Sequence, residues 1–223
     1  MRPNNTAFDN SEIDMELICK KIYKTKNNRA SSADDMIFLH NVFNGNEMDD
    51  VKTQRKRNGC DLVMILTKKH QYWGCAYKIF GGKCSSSSLE TVAPADNKFG
   101  PYAYAVMWAD LIETNPEIFS HEIGHLLGAH HDRAEACSID RDCGVRVKPY
   151  AHGYIEPKGV DGINATWRTI MACYRENIIP ICYFSTPNKK FSYIDEWGYK
   201  DEKPVGVTYT EENSADNANV FNE

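Results

Sequence analysis

The residues best equipped for chemistry lie in one run, His121-Glu122-Ile123-Gly124-His125-Leu126-Leu127-Gly128-Ala129-His130-His131-Asp132. On an α-helix, positions four apart share a face, so His121 and His125 can offer imidazole nitrogens to one point in space. Glu122 is one position round the helix. That puts its carboxylate near the same point without making it a ligand, where a metal-bound water would sit. Gly128 takes a positive φ at little cost, so the helix can stop there and the chain can turn back. The turn lets His131 reach the metal from below. Three neutral imidazoles and one open position make the catalytic form of a tetrahedral zinc site. His130 competes with His131 as third ligand, but the spacing from Gly128 favours His131, and His130 reads as a surface residue.

A histidine pair four apart is also what two solvated residues on an amphipathic helix look like. The glycine and third histidine at fixed spacing favour the metal. The whole run resembles the motif of the metzincin zinc endopeptidases. Asp132, directly after the third histidine, resembles the reprolysin and adamalysin branch and its bacterial relatives.

The resemblance implies an α/β (α+β) catalytic domain of two lobes. It has a twisted mixed sheet with an antiparallel edge strand, an active-site helix, and an irregular C-terminal lobe with a Met-turn and a closing helix. One domain would span residues 1–223, with an N-terminal lobe over 1–128 and a C-terminal lobe over 129–223. Zn2+ would sit on His121, His125 and His131, with Glu122 as catalytic base. Met171, 40 residues beyond His131, matches the Met-turn methionine, whose thioether would pack under the imidazoles. Some branches carry a tyrosine two residues after that methionine as an extra metal ligand or transition-state donor. Here the position is Cys173, so that role is not transferred. In the family a first strand and a long helix precede the strand that residues 11–23 match. Only about ten residues stand there, so either the chain is a piece or the sheet is built without that strand.

Composition fits this reading. The 223 residues suit one domain with a real core. A net charge of −5 without a broad basic stripe gives no support for nucleic-acid binding. No apolar run approaches the ~20 residues that span a membrane. Met1-Arg2-Pro3-Asn4-Asn5 lacks the apolar core of a signal peptide, so none is expected in this chain. The eight cysteines suggest local pairs Cys75–Cys84, Cys137–Cys143 and Cys173–Cys182, which leaves Cys19 with Cys60. A cysteine metal site is the rival, but there is no CxxC pair. Disulfides would place the protein outside the cell. The expected partner is a protein or peptide substrate, met by a monomer. The rival function is a secreted binding module that keeps its metal without cleaving; Glu122 argues against it. A structural zinc site would fill all four positions with protein ligands.

Positioning these residues falls to the flanking elements. Residues 11–25 alternate Ile13, Met15 and Leu17 with charges, which predicts a half-buried strand. Residues 35–43 suggest a short helix with Ile37, Phe38 and Val42 inward. Residues 49–58 suit a helix ending at Gly59, with 52–57 as its solvated face. The apolar run 61–67 predicts a central strand covered on both faces. Residues 101–108 alternate aromatic and small side chains as a strand, and the resemblance makes it the edge strand that receives an extended substrate. The metal helix is expected from about Pro116 to about Leu127, with Asn115 as N-cap and Pro116 first inside. Ile118, Ile123, Leu126 and Leu127 supply its buried surface. Residues 150–154 suggest a short strand or turn, and 215–221 a closing helix docked by Val220 and Phe221; the resemblance implies that a wall of the primary specificity pocket lies around 183–187.

Overall fold

The computed structural model describes residues 2–25, 38–39, 41–42, 48–68, 74–76, 103–133, 148–156, 167–194, 200–208, 210–211 and 213–222. They fall into two units. The first takes Leu17–Leu127; the second takes Arg2–Glu16 with Gly128–Glu223. Arg2–Glu16, which the sequence assigned to the N-terminal lobe, therefore group with the second unit. No helix among the described residues is long and apolar enough to cross a membrane.

Helix α1 (Arg2–Asn10) was not expected. It is anchored by Phe8, which stacks on Phe184 at 5.7 Å and meets Phe221 edge-on at 6.4 Å; Phe184 and Phe221 meet at 4.9 Å. Asn10 donates to the Cys182 carbonyl, and Ser11 Oγ accepts the Phe184 N–H. The strand expected over 11–25 does not form. Met15 N–H bonds back to Ile13 C=O, an i→i+2 turn where a strand would run straight. Ile13 is buried, but Ile18 and Ile22 face solvent. The alternation marks a chain laid with one side on a surface.

Residues 38, 39, 41 and 42 are helical, with Phe38, Leu39 and Val42 buried; Ile37 lies outside the described residues. Helix α2 (Asp49–Asn58) follows the sequence. Asp49 and Asp50 open it, Arg55, Lys56 and Arg57 close it, and both ends thus oppose the helix dipole. Gly59 terminates it at φ 59°, with Cys60 N–H returning to Arg55 C=O. Strand β1 (Val63–Thr67) is parallel to β3 (Tyr104–Trp108), and β2 (Gly74–Ala76) pairs antiparallel with β3. The order is β1-β3-β2.

This reverses two expectations. Among the described residues β3 is the central strand: Tyr104 to Met107 are all buried. Among the same residues the antiparallel edge strand is β2, and β1 is not covered on both faces, since Leu66 is 48% exposed. The reason is length. Three residues of β2 carry too little pattern to read as a strand, whereas β3's aromatic alternation reads as half-buried although both its faces are covered. Helices α3 (Leu111–Thr114) and α4 (Glu117–Leu126) follow, and α4 packs on β2 and β3.

In the second unit β4 (Trp167–Arg168) pairs parallel with β5 (Ile179–Pro180), and β6 (Lys190–Ile194) forms a hairpin with β7 (Lys200–Pro204). Trp167, Ile181 and Val205 form its core under Tyr154, Tyr183 and Phe191. The closing helix α5 (Asn217–Asn222) is present. Asp216 caps it by accepting the Asn219 N–H, and burial pushes that carboxyl above its ordinary range against this bond.

The cysteine pairing is corrected. Cys173 and Cys182 are not bonded to each other, and neither are Cys19 and Cys60. The 173–182 loop is closed instead by backbone bonds, Ile170 N–H to Tyr183 C=O and Ile181 N–H to Arg168 C=O. Cys19 sits exposed on the segment that forms no strand. Cys84, the expected partner of Cys75, and the pair Cys137–Cys143 lie outside the described residues. The aromatic anchor yields a test. Phe8→Ala should cost about 3–5 kcal/mol in urea unfolding, and a loss under about 1 kcal/mol would show that α1 is not held this way.

Candidate metal centre

The metal helix forms because Ile118, Ile123 and Leu126 bury one face against the sheet. Its bounds, Glu117–Leu126, agree with expectation within a residue at each end. Asn115 does not cap it with its side chain. It ends α3 instead, donating its N–H to Leu111 C=O, while its own carbonyl accepts from Ile118. The C-terminus is as expected: Leu127 N–H still bonds Ile123 and Gly124, and then Gly128 turns at φ 99°.

That turn brings the three histidines together. One nitrogen from each of His121, His125 and His131 lies within 4.8 Å of the others. The His121 and His125 rings meet edge-on, 4.7 Å apart at 89°. Among the described residues this is the group that could hold a metal ion. An all-nitrogen set of three with an open position suits Zn2+. Glu122 is buried beside them at 4% exposure.

His130 is not a surface residue. It is 1% exposed. Its N–H bonds Ala151 C=O, and its carbonyl accepts from Gly153. Neighbours in an extended chain point opposite ways, so placing His131 on the metal side turns His130 inward, 6.3 Å from the His152 ring.

Two residues that sequence reasoning left without a role secure the chain at His131. Asp132 is buried; its Oδ2 accepts the Cys173 N–H at 3.1 Å and its Oδ1 pairs with Arg175 at 2.9 Å. The residue after His131 is thereby tied to the chain two residues past Met171. Met171 itself is fully buried in a tight turn closed by Ala172 N–H on Thr169 C=O. His152 supplies the other tie. Its Nδ1 lies 2.9 Å from the His131 carbonyl oxygen. A carbonyl can only accept, so Nδ1 carries the proton. Next to it, a Cβ on Gly153 would fall 2.4 Å from Ala172 N and 2.6 Å from Met171 C, both backbone. The segment 151–153 is thus wedged between His131 and the Met171 turn. The only sequence signal for it was a glycine directly after a histidine, in a stretch without periodicity.

The expected pocket wall, 183–187, has its middle in the interior. Ser185 Oγ donates to His152 C=O and accepts the Asn217 N–H. Nearby, Tyr154 donates to Glu156 at 3.0 Å; burial first, then the Glu156 charge, pushes its phenol far up and keeps it protonated.

Residues 2–132 match the family model described as metallo-peptidase family M12B, Reprolysin-like, which is more than half of the chain. The chain belongs to this family. Among relatives of this reprolysin-like chain is a peptidyl-Asp metalloendopeptidase of Stenotrophomonas maltophilia (strain R551-3), 28% identical over 226 residues, covering 98% of this chain and 43% of the relative. One with the same name from strain K279a is 32% identical over 149 residues, covering 66% of this chain and 29% of the relative. A third, from Xanthomonas campestris pv. campestris, is 26% identical, covering 85% and 38%. The chain therefore spans less than half the length of these relatives. A solved structure titled "Structure of a chaperone-substrate complex" shares the fold, with TM-score 0.57 and 17% identity over 99% of this chain and 28% of that one.

The His152 tie is testable without activity. His152→Leu should weaken zinc affinity about tenfold or more, in line with other partners of metal ligands. His152→Asn, whose amide nitrogen can stand in for Nδ1, should restore most of it. A chelator-competition titration that finds all three proteins equal would contradict the role.

Proposed function

We propose that this reprolysin-like chain is the catalytic domain of a zinc-dependent endopeptidase, with its residues 1–223 acting as one domain. The observation that carries the proposal is the convergence of three imidazoles on one point with a buried carboxylate on the adjacent helix position. A binding module that merely held a metal would have no use for Glu122 there.

Zinc on His121, His125 and His131 would supply a Lewis acid with one open position. The chain's own residues do the rest. His121, His125 and His131 must be neutral to bind, so acid competes for them. Glu122 takes the proton of the attacking water on its carboxylate and passes it to the nitrogen of the departing amine, so the base of the first half becomes the acid of the second. Asp132 and His152 fix the chain around His131. Met171 is proposed as the packing support beneath the imidazoles, from its complete burial in the turn that Asp132 reaches.

The substrate is an extended stretch of protein. The relatives' name makes peptides containing aspartate the first to try. An extracellular setting is part of this reading, although the expected Cys19–Cys60 and Cys173–Cys182 bonds, which would support it, do not form.

Glu122→Gln should retain zinc and lose about 10²–10⁴-fold in kcat, the usual worth of a general base. His125→Ala should lose the metal itself. Full cleavage by Glu122→Gln, or undiminished zinc in His125→Ala, would overturn the respective assignment.

A further inference from the structure

The edge strand β2 comes closer to Glu122 than any side chain would permit. A Cβ built on Gly74 would lie 2.3 Å from Glu122 Oε1, 2.7 Å from Cδ and 2.8 Å from Cγ. Real Cβ atoms essentially never approach below 3.0 Å. The backbone does not demand glycine here. Positive φ among the described glycines occurs at Gly59 and Gly128, and Gly74 sits in ordinary strand pairing opposite Met107. The requirement is one of space, and Glu122 imposes it.

The kind of obstacle matters. At Gly153 and Gly206 the nearest atoms are backbone, which the fold cannot easily move. At Gly74 the three nearest atoms all belong to one flexible side chain. A methyl group there would leave the sheet intact and displace the carboxylate. Bringing 2.3 Å to an ordinary contact of 3.4 Å moves it by about 1 Å.

We propose that Gly74 is a positioning residue for Glu122: the bare backbone of β2 is the floor against which the carboxylate is set. This rests on reading Glu122 as the base. Proton transfer needs the base within hydrogen-bond reach of the proton it takes, and a misplacement of about 1 Å can cost about 10²-fold in rate. A glycine on an edge strand would ordinarily weaken it. Here it lets helix α4 lay its reactive side chain flat on the strand.

The test is a double-mutant cycle of Gly74→Ala and Glu122→Ala in the zinc-loaded chain, with Glu122→Gln alongside. Gly74→Ala should keep full zinc, leave KM within about threefold, and lose about 100-fold in kcat. Its Tm should fall, whereas adding Gly74→Ala to Glu122→Ala should leave Tm unchanged or raise it, because the methyl group then has room. If Gly74→Ala alone fails to fold, recovery of folding in the double variant supports the same contact. Wild-type kcat in Gly74→Ala, loss of zinc, or an equal Tm drop in both backgrounds would overturn the proposal. Cleavage by Glu122→Gln would instead remove the base, and the Tm coupling would still report the contact.

Discussion

Three imidazoles can share one ion only if a helix stops at the right residue. His121 and His125 come together through helical spacing alone. His131 comes only because the chain leaves the helix at Gly128 with φ 99°, a conformation that costs a β-carbon-bearing residue about 1 kcal/mol or more. One residue earlier or later, the third nitrogen would point elsewhere. The ten-residue helix must also be held rigidly, and burial of Ile118, Ile123 and Leu126 on the sheet does this.

Beyond Gly128, no long element among the described residues fixes His131. Small devices fix it instead. Asp132 bonds the backbone near the Met171 turn, His152 bonds the His131 carbonyl, and Gly153 lets the turn approach within backbone contact. Each is a polar or steric tie between segments distant in sequence. In a region with so little regular structure, such ties carry the precision that a helix or strand would otherwise supply. Glu122 has its own equivalent in Gly74.

The cluster of three histidines was legible because its geometry is local. Residues 121–131 state their own geometry through helical spacing and one glycine. Helix α2 was legible for the same reason: its charges and Gly59 are end signals. What was missed depends on partners far along the chain. His130 looked exposed because its burial comes from pairing with residues 151–153. Residues 11–25 looked like a strand because alternation records one-sided burial, not pairing. Strand β3 looked like an edge because β2 is only three residues long. Cysteine spacing suggested loops but could not say where the Cβ atoms point, which is what a disulfide requires.

The central claim is that this chain holds zinc on three histidines and cleaves peptide bonds with it. The direct measurement is metal analysis of the purified chain combined with cleavage of a denatured protein, before chelation, after chelation, and after zinc is restored. The account predicts one zinc per chain, cleavage abolished by the chelator, and cleavage recovered with added zinc. Cleavage that survives complete removal of the metal, or a folded chain that binds no zinc, would contradict it.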